Sequence, residues 1–188
     1  MDKTEVRKKY TLQRAMLSGQ DRAARNKRIQ EKVFDFLNKR PDVSGIHIFL
    51  PIERQVEVDT LPILQFLWDK GLMLFTSKVK RGSLEMEVLT IPRGVKLIPD
   101  HWGIPIPETF DVVGIEAIDL VFVPLLAYDL EGGRIGFGKG YYDVFLAKLS
   151  PKVLKIGLSF FPPEDRLPKE SHDISLDYCI SPEKVFTF

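Results

Sequence analysis

The run Asp119-Leu120-Val121-Phe122-Val123-Pro124-Leu125-Leu126-Ala127 has no polar face. Side chains of a strand point alternately to its two sides, so a strand with one wet side alternates in polarity. This run does not alternate, and its Val and Phe content favours a strand. A strand buried on both faces needs cover above and below, which means a largely parallel sheet with helices on each side.

The rest of the chain supplies that cover. Gly45-Ile46-His47-Ile48-Phe49-Leu50 reads as a buried strand that Pro51 ends. Asp59 or Thr60 caps a following helix with Leu61, Leu64, Phe66, Leu67 and Trp68 on its buried side, and Gly71 stops it before the strand Leu72–Thr76. This β–α–β order builds parallel sheets. Residues 3 to 17 and 20 to 38 read as helices, the second with an apolar stripe of Ile29, Val33, Phe36 and Leu37 and a Ser18/Asp21 cap. Leu84–Leu89 alternates as a strand near an edge does, and the late runs Lys155–Phe160 and Asp177–Ser181 are short strands. With no repeat or linker, residues 1–188 are expected to form one α/β domain.

Composition excludes several function classes. Net charge is +1, with 27 basic against 26 acidic residues, so no global field points to nucleic acid or an anionic membrane. Cys179 is alone, which rules out a disulfide framework or a clustered-thiol zinc site within the chain. The charged start, Met1-Asp2-Lys3-Thr4-Glu5-Val6-Arg7, lacks the apolar core of a signal peptide, and no apolar run nears the roughly 20 residues that cross a bilayer. A soluble cytoplasmic protein, and a monomer, is expected. His47, His101 and His172 share no metal-ligand spacing, and no Ser-His-Asp or Cys-His pattern stands out.

The chemistry concentrates after the apolar run, in Gly132-Gly133-Arg134-Ile135-Gly136-Phe137-Gly138-Lys139-Gly140-Tyr141-Tyr142-Asp143. It fits the frame G-x-x-x-x-G-K of a phosphate loop, but Gly140 stands where a metal-binding Ser or Thr belongs. A tight strand-to-helix turn needs one or two glycines. Five, interleaved with Arg134 and Lys139 ahead of a helix N-terminus, suit anion binding. Without the hydroxyl, a carboxylate must hold any metal; Asp143 is nearest, and Asp173 or Asp177 comes from a later strand end. Oxygen ligands of this kind suit Mg²⁺. In the first helix, Lys3, Arg7, Tyr10 and Arg14 fall within an arc of about 60°. Such an arc is either a solvated basic face or, since cations in a first turn oppose the helix dipole, a face that gains from an anionic partner. Glu57 is either an ordinary loop acid or an acceptor for a ring N–H or amino group. Trp102, on the stiff stretch Pro99–Glu108, either plugs the core edge or offers a flat surface to a ligand.

Arg134-Ile135-Gly136-Phe137-Gly138-Lys139-Gly140-Tyr141-Tyr142-Asp143, after a Val-Pro-ended strand and Asp129, resembles the signature of the 5-formyltetrahydrofolate cyclo-ligase (5,10-methenyltetrahydrofolate synthetase) family. Lys3-x-x-x-Arg7, Leu50, Glu57-x-x-Thr60, Trp102-Gly103-Ile104-Pro105 and His172-Asp173…Asp177 extend the likeness over nearly the whole chain. The resemblance implies a three-layer α/β/α fold and ATP-dependent closure of 5-formyltetrahydrofolate to 5,10-methenyltetrahydrofolate, with ADP and phosphate released through a phosphorylated formyl group. It implies ATP contacts from Lys3, Thr4, Glu5, Val6 and Arg7 and from the loop Arg134 to Tyr142, with Arg134 and Lys139 neutralising charge during transfer. It further implies substrate contacts from Leu50, Glu57, Trp102 and Tyr141, and Mg²⁺ on Asp143 and Asp177. Some members carry a second arginine where Phe137 stands, and Gln55 competes with Glu57 for the pterin side. A non-catalytic nucleotide- or folate-binding regulator and a sugar-phosphate isomerase are the other readings of the residues. No acid–base pair singles itself out for the latter.

Overall fold

The computed structural model describes residues 1–188. Helix α1 (Lys3–Ala15) starts in a capping box. The Asp2 carboxylate accepts from the N–H groups of Thr4 and Glu5 at 2.7 and 2.8 Å, and Glu5 accepts from the Asp2 N–H at 2.8 Å. Helix α2 (Gly19–Asn38) starts at Ser18, whose hydroxyl oxygen accepts from the Asp21 N–H at 3.0 Å and donates to the Asp21 carboxylate at 2.7 Å. The cap expected at this pair is present.

Eight strands form one mixed sheet. In chain order they are β1 (Gly45–His47), β2 (Met73–Val79), β3 (Met86–Thr90), β6 (Val112–Val113), β7 (Leu120–Pro124), β10 (Leu154–Leu158), β11 (Tyr178–Ile180) and β12 (Val185–Thr187). Their spatial order is β12-β11-β10-β7-β1-β2-β3-β6. The block β11-β10-β7-β1-β2 is parallel, while β12, β3 and β6 pair antiparallel at the flanks. Between β3 and β6, β4 (Leu97–Pro99) and β5 (Pro105–Pro107) make a small ribbon, so the proline-rich stretch stays out of the main sheet.

The doubly buried strand is β7, where Leu120 to Val123 are fully covered. Its even-numbered residues Leu120 and Phe122 pack under α2 and α3 (Leu61–Asp69), with Ile29, Val33, Ile63 and Leu67. Val121 and Val123 pack on the other face with Phe145 and Leu146 of α4 (Tyr141–Lys148). Helices therefore cover both faces of a mostly parallel sheet, as the sequence required.

Three local expectations change. The apolar run does not continue as one strand to Ala127. It stops at Pro124, which has no N–H to extend a ladder, and Ala127–Tyr128 becomes β8, paired with β9 (Arg134–Ile135) in a separate ribbon. Strand β1 ends at His47 rather than Leu50, although the Ile48 N–H still donates to the Phe75 carbonyl at 2.8 Å. In α3 the buried side is Ile63, Leu64 and Leu67; Leu61 is 44% exposed, because it occupies the first turn on the outer side of that phase.

Two crossovers run to opposite faces. β1 passes through α3 to β2, and β7 passes through the β8–β9 ribbon and α4 to β10. Because β1 and β7 are neighbours, the crevice beyond their carboxyl ends is a topological switch point, where open α/β sheets bind ligands.

The start of β1 approaches a neighbouring turn very closely. A Cβ on Gly45 would lie 1.8 Å from the Ala117 carbonyl oxygen, which is backbone and cannot swing aside. Gly45→Ala is expected to destabilise by about 2 kcal/mol or more, an overpacking cost. The reading is a lower urea midpoint at unchanged m value; an unmoved midpoint would show that β1 does not abut that turn.

A candidate active site at the switch point

The crevice opens into a cleft of about 1080 Å³ lined by the carboxyl end of β1, the glycine loop, α1 and the 168–173 segment. One buried carboxylate shapes its glycine loop. Asp129, 3% exposed, accepts from the N–H groups of Glu131 and Gly133 with Oδ1 at 3.0 and 2.7 Å, and from Leu167 with Oδ2 at 2.9 Å. This closes the turn between β8 and β9 and delivers Arg134 to the cleft.

The Arg134 guanidinium is buried and donates through Nη2 to Asp143 Oδ1 at 2.6 Å. Burial lowers its pKa, and the nearby Asp143 and Asp173 carboxylates oppose that fall. Beyond it the loop turns through Gly138 and Gly140, at φ +88° and +76°. These are left-handed conformations that a side chain would resist. At Gly138 a Cβ would also sit 3.0 Å from the Arg7 guanidinium carbon. Gly140 then stands at the N-cap position of α4 with no side chain in the way, so the first N–H groups of the helix face the cleft. Lys139, at the tip, is exposed.

Helix α1 brings the other cations. Arg7 Nε donates to the Gly136 carbonyl at 3.1 Å. Lys3 Nζ bonds both Asp173 oxygens at 2.8 and 2.7 Å and Glu170 at 2.9 Å. Burial disfavours the Lys3 charge, but these carboxylates outweigh it and raise the pKa. The basic arc of α1 is therefore no solvated face: Arg14 is 2% exposed and Tyr10 is buried, its hydroxyl donating to Glu164 at 2.7 Å.

The opposite wall is less charged. Leu50 is buried at the floor, and Glu57, 9% exposed, accepts from the Ile52 N–H at 2.7 Å. Burial pushes the Glu57 carboxyl up to about 7, against the Ile52 N–H and the Arg14 charge, which both favour the carboxylate. Gln55 lines the same wall but is less enclosed. Trp102 does not plug the core. It is 41% exposed on the cleft rim, its ring against His101 with centroids 3.8 Å apart, on a turn held by Asp100, which accepts from the N–H groups of Trp102 and Ile104, both at 2.8 Å. His47 takes no part: it is wholly buried, bonded through Nε2 to Ser77 at 2.7 Å, with burial lowering its pKa to about 3.

Most residues singled out from the sequence meet in this cleft: Lys3, Thr4, Arg7 and Arg134 through Asp143 on the charged side, and Leu50, Glu57 and Trp102 on the other. Three do not. Glu5 is turned away to cap α1, and Val6 is wholly buried against Leu126 and Ile135. Asp177 lies at the amino end of β11, where Lys155 binds it through Nζ at 2.8 Å and through its N–H at 2.8 Å. That is the wrong end of a parallel sheet for this cleft. The later carboxylate that does reach it is Asp173. Asp143 and Asp173 both act on the Arg134 charge, and with Glu170, which clusters with Asp173, they are carboxylates of the cleft that could hold a Mg²⁺ ion.

An open α/β fold with a glycine loop, a helix N-terminus and a half-apolar recess at its switch point has the layout of a ligand-binding α/β protein. The chain belongs to the 5-formyltetrahydrofolate cyclo-ligase family, whose model matches residues 1–182. A 5-formyltetrahydrofolate cyclo-ligase of Mycoplasma genitalium is 30% identical over 182 residues, covering 96% of this chain and 98% of that protein. Among solved structures, a 5,10-methenyltetrahydrofolate synthetase from Aquifex aeolicus is similar at a TM-score of 0.81 and 33% identity, over 100% of this chain and 93% of the other. A 5,10-methenyltetrahydrofolate synthetase from Mycoplasma pneumoniae matches at a TM-score of 0.79 and 27% identity, over 97% of this chain and 99% of that one.

The Glu57 environment sets a pH dependence. In the folded protein this carboxyl holds its proton more tightly than at its ordinary value of 4.5. The stability it contributes is full below about 4.5 and is lost as pH rises through about 7. Glu57→Gln cannot titrate, so its melting temperature relative to the parent is expected to climb between pH 5 and pH 8. A constant difference would mean that Glu57 is charged and paired throughout.

Proposed function

We propose that residues 1–188 act as one unit that closes 5-formyltetrahydrofolate to 5,10-methenyltetrahydrofolate at the expense of ATP. The observation that carries this reading is the two-sided cleft: cations and helix N–H groups on one wall, Leu50, Glu57 and Trp102 on the other, in a volume above the usual range for one small ligand.

In this reading the triphosphate lies along the glycine loop, with Lys139, Arg7 and Lys3 around its terminal phosphate and Arg134 beneath. The formyl oxygen attacks the γ-phosphorus, the bond to the β-phosphate oxygen breaks, and ADP leaves. The N10 nitrogen then attacks the activated formyl carbon, loses its proton, and the carbon–oxygen bond breaks to release phosphate. Such a transfer asks mainly for alignment and charge neutralisation, and the loop cations and α4 N–H groups supply both. Glu57, as carboxylate, accepts from the pterin N–H and amino groups, Leu50 covers the ring, and Tyr141 and Trp102 meet the rest of the folate. Asp143 and Asp173 would hold Mg²⁺, which when bound neutralises charge on the phosphate oxygens.

Incubation with 5-formyltetrahydrofolate, ATP and Mg²⁺ should produce the near-ultraviolet band of the methenyl product and one ADP per product; no band would end this proposal. Lys139→Ala, at an exposed tip, should raise the KM for ATP at least tenfold while leaving the melting temperature nearly unchanged. Arg134→Ala should cost stability as well, because it strands a half-buried Asp143. Equal stability losses in both variants would make the loop a mere turn.

A further inference from the structure

Arg14 lies outside the cleft, yet it reaches the loop before Glu57, the end of β7 and the glycine loop. Its guanidinium donates through Nη1 to the Val56 carbonyl at 3.3 Å and through Nη2 to the Leu125 carbonyl just past β7. The Phe137 ring of the glycine loop and the Phe160 ring after β10 lie 5.7 Å from its central carbon, and its Nε has no partner. It is also the positive charge that acts on Glu57. Burying an arginine this completely with one donor idle is costly, so its place calls for a reason.

Val56 supplies one. It is the sole non-glycine residue with positive φ, at φ 48° and ψ 50°, and it is β-branched. Such a conformation persists only where the surroundings impose it. Here it follows the 3₁₀ turn Glu53–Gln55 and reverses the chain immediately before Glu57, whose side chain is thereby turned into the cleft. The bond from Arg14 falls on the carbonyl of this strained residue.

We propose that Arg14 is a positioning residue for the folate-side carboxylate: its guanidinium pins the strained Val56 peptide and places the one positive charge beside Glu57, which holds that side chain aimed at the substrate. Phe137, seated against the same guanidinium, ties this support to the glycine loop. The groups facing Glu57 are Arg14 from α1, the Ile52 N–H of its own loop and the Tyr142 hydroxyl of α4. Arg14 is the one cation among them, and its loss shifts Glu57 further toward the neutral acid.

The inference rests on the proposed function, and wild-type turnover separates the two: without the methenyl band the function fails first. With turnover present, Arg14→Met is expected to raise the KM for 5-formyltetrahydrofolate at least tenfold while that for ATP moves less than threefold. The acid limb of kcat/KM for the folate should move to higher pH. Arg14→Met/Glu57→Gln should be no worse than Glu57→Gln alone, and adding Val56→Gly to Arg14→Met should recover at least threefold of the lost folate KM. If Arg14→Met does not fold by circular dichroism, Arg14→Lys serves. It keeps the charge but cannot span both carbonyls, so it should raise the folate KM and leave the acid limb in place. An equal rise in both KM values, additive losses in the double variant, or a wild-type folate KM in Arg14→Lys would overturn the assignment.

Discussion

Everything the glycine loop can do depends on Asp129. Three backbone N–H groups converge on its two oxygens, from Glu131, Gly133 and Leu167. A charged acceptor makes these bonds stronger than their neutral counterparts, and burial keeps water from competing. The carboxylate thus replaces a regular ladder at the point where β7 has run out. It folds the chain back as the β8–β9 ribbon, sets Arg134 at the crevice, and clamps the segment that leads on to Asp173. The neighbouring Gly133 has no room for a side chain, since a Cβ there would lie 2.7 Å from an Asp129 oxygen.

Around that anchor the site is assembled from weakly related pieces. Helix α1 contributes through backbone carbonyls as much as through free charge: Arg7 holds Gly136, and Arg14 holds Val56 and Leu125. Of the cations near the loop, Arg134 is buried and already paired, whereas Lys139 is exposed. Buried and exposed charge are therefore divided between positions only five residues apart. The buried one is tied into the loop through Asp143, and the exposed one has no such tie.

The fold class was legible because β7 permits no wet face, and the glycine loop because five glycines exceed what a turn needs. The helix cap at Ser18 is short-range chemistry and could equally be read in the chain. What escaped is long-range. The burial of Arg14 depends on carbonyls far along the chain, and nothing in its helical arc distinguishes it from a solvated cation. Asp177 and Asp173 are both acids near a late strand. One physical rule separates them: ligands gather at the carboxyl ends of parallel strands, and Asp177 immediately precedes β11. Applying it required knowing that β11 runs parallel to β10. Glu5 and Val6 came along with the stretch between Lys3 and Arg7, although a helix turns its intervening residues away from the face that its ends share.

The ion triplet at the amino end of α1 has a bearing on energetics. Lys3 is held by Asp173 and Glu170, with His172 also within reach of both acids. The cleft thus carries its own counter-ions, and a polyanion entering it would trade one set of partners for another. The favourable interaction with an ammonium is largely spent before the ligand arrives, so the net gain is a difference between two pairings. Under the proposed function, discrimination falls on which anion can repay the rupture of that triplet, and a chain of several phosphates bridging α1 and the loop offers more contacts for this than a single phosphate.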